Sequence, residues 1–163
     1  MDIKKVTVFI GNQGSGKSTV AKLISTFSWM EKAINRGDLD KGSISFDSFK
    51  KICGYQGIQN YFQNNTEIEY AGEAFNIKYD EREKFPIIFK EKDKQYLVPK
   101  IMYVPAERNF LSVLKNAFDV KGLPESLFTF AEEYRRSQQE LEGQSVDLPI
   151  NKYKFQYDYQ KDM

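Results

Sequence analysis

Gly11-Asn12-Gln13-Gly14-Ser15-Gly16-Lys17-Ser18 has the residue types and spacing of a phosphate-binding loop: glycine, four residues, Gly-Lys, then Ser or Thr. Glycines lack a Cβ, so Gly11, Gly14 and Gly16 let the chain take positive φ and turn its amides inward. Successive inward N–H groups form a concave nest for anionic oxygens. The start of a following helix adds unpaired N–H groups and a positive dipole end. Lys17 would bring a mobile positive charge to the β- and γ-phosphates of a nucleotide. The Ser18 hydroxyl is a hard oxygen suited to Mg2+, and Thr19 is placed to reach the α-phosphate. Asn12, Gln13 and Ser15 complete the expected nucleotide-binding set. The competing explanation is a glycine-rich turn that happens to precede a lysine.

A second group lies further on. Glu107-Arg108-Asn109 follows the apolar run Ile101-Met102-Tyr103-Val104 and Pro105, and precedes Phe110, Leu111, Leu114 and Phe118 at helical spacing. In open α/β sheets ligands bind outside the carboxyl ends of strands. Glu107 is therefore the candidate catalytic acid and Arg108 the candidate phosphate clamp. The plainer alternative is that Arg108 only pairs with Glu107 or a nearby carboxylate.

The elements that must position these residues follow from periodicity. Val6-Thr7-Val8-Phe9-Ile10 reads as a buried strand ahead of the loop. Val20, Leu23, Ile24, Phe27, Met30 and Ile34 mark a long amphipathic helix over 17–35, with Arg36 in its last turn and Gly37 as its stop. Residues 38–45 read as a loop. Phe46, Phe49, Ile52 and Cys53 predict a second helix closed by Gly54, and Ile58, Tyr61 and Phe62 a short one after it. From Thr66 the period falls to two: Ile68 and Tyr70, then Phe75, Ile77 and Tyr79, predict an antiparallel hairpin with one wet face. Residues 86–90 and 95–98 would extend it as a meander. Residues 101–104 read as a strand covered on both faces. Leu127, Phe128, Ala131 and Tyr134 line a further helix that begins near Pro124 and stops at Gly143. Its Arg135-Arg136 pair reads as a solvated face rather than a clamp. Tyr153, Phe155, Tyr157 and Tyr159 alternate with polar residues over 150–160 as a terminal strand.

The whole chain sets further bounds. Its 163 residues suit one nucleotide-binding domain, arranged as strand, loop and helix over 1–37, a β-rich part over 66–104, a helical part over 106–142 and the terminal strand. The net charge of +1 leaves no global electrostatic footprint for nucleic acid, although a local basic patch stays open. Mean hydropathy is −0.59, and no apolar run approaches the roughly 20 residues that span a bilayer. The apolar run after Lys4 and Lys5 is too short for a signal peptide. The single cysteine, Cys53, excludes an internal disulfide and fits a reducing cytoplasm, so a cytoplasmic location is expected. With no histidine, Ser-His and Cys-His catalysis and His-ligated metal sites are excluded.

The loop near the N-terminus, the antiparallel β insertion and then Tyr103-Val104-Pro105-Ala106-Glu107-Arg108-Asn109 together resemble the ATP-binding heads of the RecF, SMC and OLD-like group. These are ABC-class (AAA-type) P-loop ATPases, many with relatives in DNA repair or phage defence. The resemblance implies an α/β fold with a P-loop NTPase-type sheet carrying an antiparallel β-meander insertion. It implies ATP and Mg2+ as ligands, ATP-driven homodimerisation, and nucleic acid as a partner by resemblance alone. Family members carry a signature sequence, a Walker B strand, a D-loop and a switch histidine further along. Here 101–104 is followed by Pro-Ala-Glu rather than paired acids. Leu141-Glu142-Gly143-Gln144-Ser145 looks like a signature sequence but reads as a helix end. The chain is therefore expected to be an incomplete, N-terminal ABC ATPase lobe, or a truncated relative, with hydrolysis completed by a C-terminal lobe or a partner. Two other classes stay open: a small P-loop kinase transferring phosphate from ATP, and a non-enzymatic module whose assembly depends on nucleotide.

Overall fold

The computed structural model describes residues 1–83, 85–90, 96–113, 120–141, 145–147 and 154–156. The chain divides into two compact units, Met1–Tyr103 and Val104–Met163.

The first unit is mixed α/β. Helix α1 (Lys17–Arg36) follows the apolar stripe and ends as its sequence requires. Gly37 adopts φ 82°, its N–H donates to the Ile34 carbonyl, and the Asp38 N–H donates to that of Ala33. That pair of bonds satisfies carbonyls left open by the end of the helix. A short 3-10 turn, Lys41–Ser43, lies in the expected loop. Helix α2 (Phe46–Tyr55) opens on Ser45, whose side chain accepts from the Ser48 N–H at 3.2 Å, and Asp47 sits in its first turn.

Strands β1 (Glu67–Ala71), β2 (Phe75–Asp80) and β3 (Phe85–Lys90) form an antiparallel sheet in that order. Tyr70 faces Ile77 across the hairpin, and Ile77 faces Ile88 on the other side. Phe75, Ile77 and Tyr79 are buried while Lys78 is exposed, so the expected period of two is realised on the central strand. Pro86, opposite Tyr79, lies on an edge strand where its missing N–H is tolerated.

Helices and sheet meet in a core of Phe27, Met30, Ile34, Phe49, Cys53, Ile58, Ile77 and Tyr79. Phe49 is its hub: its ring lies 4.6 Å from that of Tyr79, 5.7 Å from Phe62 and 6.1 Å from Phe27. Such centroid separations are those of favourable aromatic pairs.

Four expected elements are absent among the described residues. Residues 6–10 are irregular, not a strand, and Val6, Val8 and Ile10 are 79%, 74% and 92% exposed. Residues 101–104, expected as a doubly covered strand, are also irregular, with Met102 and Val104 exposed. The physical reason is the same for both. A strand is held by hydrogen bonds to a neighbour, and among the described residues no strand pairs with either run. β-branched composition alone does not supply that partner. Residues 58–62 form a turn, not a helix, although Ile58 is fully buried. Among the described residues the meander ends at β3: 96–98 are irregular, and Gln95 lies outside them. The described sheet is thus the antiparallel meander, without the parallel strands of a nucleotide-binding sheet.

In the second unit a 3-10 turn, Ala106–Asn109, runs into a single helical turn, α3 (Phe110–Val113). Helix α4 (Glu125–Leu141) follows Pro124, whose carbonyl accepts from the N–H groups of Leu127 and Phe128. Leu127 and Ala131 are its buried residues. Arg136 pairs with Glu133 and Glu140 along the helix, as a solvated face should. Strands β4 (Ser145–Asp147) and β5 (Lys154–Gln156) pair antiparallel, with Val146 opposite Phe155. The expected helical anchors Leu114 and Phe118, residues 142–144 of the signature-like segment, and Tyr153, Tyr157 and Tyr159 lie outside the described residues. Among the described residues no helix is long and apolar enough to cross a membrane.

Candidate functional site: the glycine loop at the head of α1

The loop turns where its glycines allow it. Gly14 and Gly16 have φ of 79° and 83°, in the left-handed region that side chains with a Cβ avoid. Between them the Ser15 N–H donates to the Asn12 carbonyl at 3.3 Å. Gly11 approaches Ser15 closely: a Cβ there would lie 2.9 Å from the hydroxyl of that exposed side chain. The loop is therefore closed on itself, with its first and fifth residues in near contact.

Gly16 is also the residue before the first turn of α1. Its carbonyl accepts the first helical bond, from the Val20 N–H at 2.9 Å. No side chain caps this end, and no acidic residue occupies the first turn. A helix start in this condition presents open N–H groups and uncompensated positive dipole. Natural helices commonly carry Ser, Thr, Asp or Asn here; a glycine leaves the place to an external anion.

Lys17 reaches back over the loop. Its ammonium donates to the Gly11 carbonyl at 2.8 Å, to the Asn12 carbonyl at 2.6 Å and to the Ser15 hydroxyl at 3.2 Å. A charged nitrogen with three acceptors is held in place rather than waving in solvent. Asn12, Gln13, Ser15 and Ser18 are exposed, and Lys17 and Thr19 are half-buried. The structure thus brings the whole set from Gly11 to Thr19 into one surface loop and the first turn it feeds.

Glu107 and Arg108 lie far along the chain from the loop. They belong to the second unit, on the 3-10 turn, and both are exposed. The Arg108 N–H donates to the Pro105 carbonyl at 3.3 Å, which closes that turn.

Metal requirements can be weighed against the donors present. Among the described residues no group of three or more acidic, cysteine or histidine side chains could hold a metal ion. Mg2+ at phosphate sites takes few protein ligands and draws the rest from phosphate oxygens and water. The exposed Ser18 hydroxyl in the first turn of α1 suits that requirement.

One side chain escaped the sequence reading. Glu31, on α1, is 3% exposed and accepts hydrogen bonds from three groups of the β1–β2 hairpin. The signal was present: Glu31 falls four residues after Phe27 and three before Ile34, on the apolar stripe itself. Burial above all, with the Glu31 carboxylate beside it, pushes the Tyr70 hydroxyl far above its ordinary pKa, so it stays a donor. No protein-family model, curated protein or solved structure matches this chain.

Proposed function

We propose that the loop Gly11–Ser18 binds the phosphates of ATP with Mg2+, and that the chain is the ATP-binding lobe of an ABC/AAA-like ATPase whose hydrolysis requires further groups. The observation that carries this reading is the Lys17 ammonium held over a glycine loop that opens an uncapped helix. In that reading the loop and first-turn N–H groups receive phosphate oxygens, and Lys17 exchanges its carbonyl partners for the β- and γ-phosphates. Ser18 holds Mg2+, which neutralises charge between the terminal phosphates. Glu107 and Arg108 remain the candidates for the acid and the clamp, in the other unit of the chain. A cytoplasmic setting and a nucleic-acid partner belong to the same proposal.

Calorimetry of the full chain with Mg-ATP, compared with Lys17→Ala, tests it. Binding by the wild type and none by the variant is expected. Equal affinity of the two would overturn the reading, as would silence of the wild type.

A specific observation favours a second reading, a nucleotide-dependent assembly module. Val6, Val8 and Ile10 alternate, are β-branched at each position, and stand uncovered directly before the loop. A strand-forming run that pairs with no strand among the described residues suits completion by another chain. Sedimentation with and without Mg-ATP separates the readings: nucleotide-dependent association supports assembly, and a strict monomer in both states removes it. The kinase alternative gains no such support, because among the described residues all strand pairs are antiparallel.

A further inference from the structure

Every buried residue of α1 lies between Thr26 and Ile34; its first nine positions contain none. The glycine loop is therefore carried on the end of a helix whose fully buried seat lies in its second half, with Leu23 packed against the core at its edge. Within that seat Glu31 is the one buried charged side chain among the described residues. Its Oε1 accepts from the Ala74 N–H at 2.6 Å and the Phe75 N–H at 3.0 Å, and its Oε2 accepts from the Tyr70 hydroxyl at 2.8 Å. The hairpin turn closes tightly around this carboxylate: a Cβ on Gly72 would overlap Oε1.

The two kinds of contact in the seat do different work. Phe27, Met30 and Ile34 bury area, and that attraction is non-directional. The carboxylate with two adjacent amides and a hydroxyl is directional, and charge strengthens each bond. It sets how α1 is rotated and how far it is advanced against the hairpin. The helix then acts as a rigid arm of roughly 21 Å between Glu31 and Lys17, at 1.5 Å rise per residue.

We infer that Glu31 is a positioning residue that couples the β1–β2 hairpin to the glycine loop at the far end of α1. The inference rests on the loop being a phosphate site. Coupling of this kind is reciprocal: nucleotide at the loop steadies the hairpin, and loosening the hairpin weakens nucleotide by the same factor.

The experiment combines calorimetry with Mg-ATP and residue-resolved hydrogen exchange, on the full chain and on Glu31→Ala, Glu31→Gln and Tyr70→Phe. The expected result for Glu31→Ala is affinity lowered about tenfold, with faster exchange at residues 14–19 even without ligand and unchanged far-UV dichroism. Mg-ATP slows exchange at Ala74 and Phe75 in the wild type and not in this variant. Glu31→Gln keeps an oxygen for both amides and turns its NH2 toward the Tyr70 oxygen, which can accept, so it stays within about threefold of the wild type. A folded Glu31→Ala with wild-type affinity and wild-type loop exchange overturns the inference. Should that variant not fold, Tyr70→Phe decides: a smaller shift in the same two readouts supports coupling, and no shift overturns it. Failure of the wild type to bind Mg-ATP would refute the phosphate reading alone, and exchange at 14–19 in the ligand-free variants would still decide the coupling.

Discussion

The Lys17 ammonium lies 2.6 Å from the carbonyl oxygen of Asn12, five residues earlier in the chain. The bond spans the glycine loop and places the charge over it before any ligand arrives. Lys17→Ala removes that charge without touching the core of Phe27, Phe49 and Tyr79. The expected outcome is a loss of Mg-ATP affinity of at least about 100-fold, read by calorimetry, because charge-assisted bonds to phosphate are the strong ones. Far-UV dichroism and the thermal midpoint stay near those of the wild type.

Ser18→Ala separates metal from phosphate. The hydroxyl is exposed in the first turn of α1 and is the only group the reading gives to Mg2+. ATP affinity measured with and without Mg2+ should differ in the wild type, and the variant should lose that difference by about tenfold while its metal-free affinity is kept.

Gly16→Ala tests the backbone. A Cβ at Gly16 meets nothing within 4 Å, so crowding does not oppose it. Its φ of 83° does: a left-handed conformation costs a residue with a Cβ about 1–2 kcal/mol. Nucleotide affinity should fall about tenfold as the loop relaxes to negative φ. Unchanged affinity would show that the loop does not need this conformation.

Phe49→Ala addresses the core. Phe49 is fully buried and touches three other rings. Its truncation should cost about 3–5 kcal/mol in urea unfolding, from lost transfer energy and the cavity left behind.

Acid sensitivity should trace to Asp80. Arg82 donates to it from Nε at 3.0 Å and from Nη2 at 2.7 Å, and these bonds hold its carboxyl at about 2. The folded pKa is below the ordinary unfolded value of about 4, so the ion pair contributes stability in full above that pH. That contribution is lost as pH falls toward 2. Urea midpoints taken from pH 7 to pH 2 should fall less steeply for Asp80→Asn than for the wild type in that window. Cys53 behaves oppositely: burial pushes its thiol up to about 12, so alkylating reagents at pH 8 should label it only after unfolding.

Much of this molecule is local, and what is local was legible in its residues. The glycine spacing, the stripe of α1 with Gly37 as its stop, the helical spacing of Phe46, Phe49, Ile52 and Cys53 on α2 and the alternation of β1 and β2 each depend on contacts within a few positions. The chain's chemistry therefore determined the loop, α1, α2, α4 and the hairpin of β1 and β2 by itself. Partnership is not local. The run from Val6 to Ile10 and that from Ile101 to Val104 have strand composition, yet a strand exists only where a second one supplies its hydrogen bonds. Tertiary structure alone decided that no strand pairs with either run among the described residues, that the chain forms two units, and that Glu107 and Arg108 fall in the unit without the loop. It also decided the role of Glu31: a carboxylate is tolerated inside a core only when donors distant in sequence converge on it, and Tyr70, Ala74 and Phe75 do so across about 40 residues.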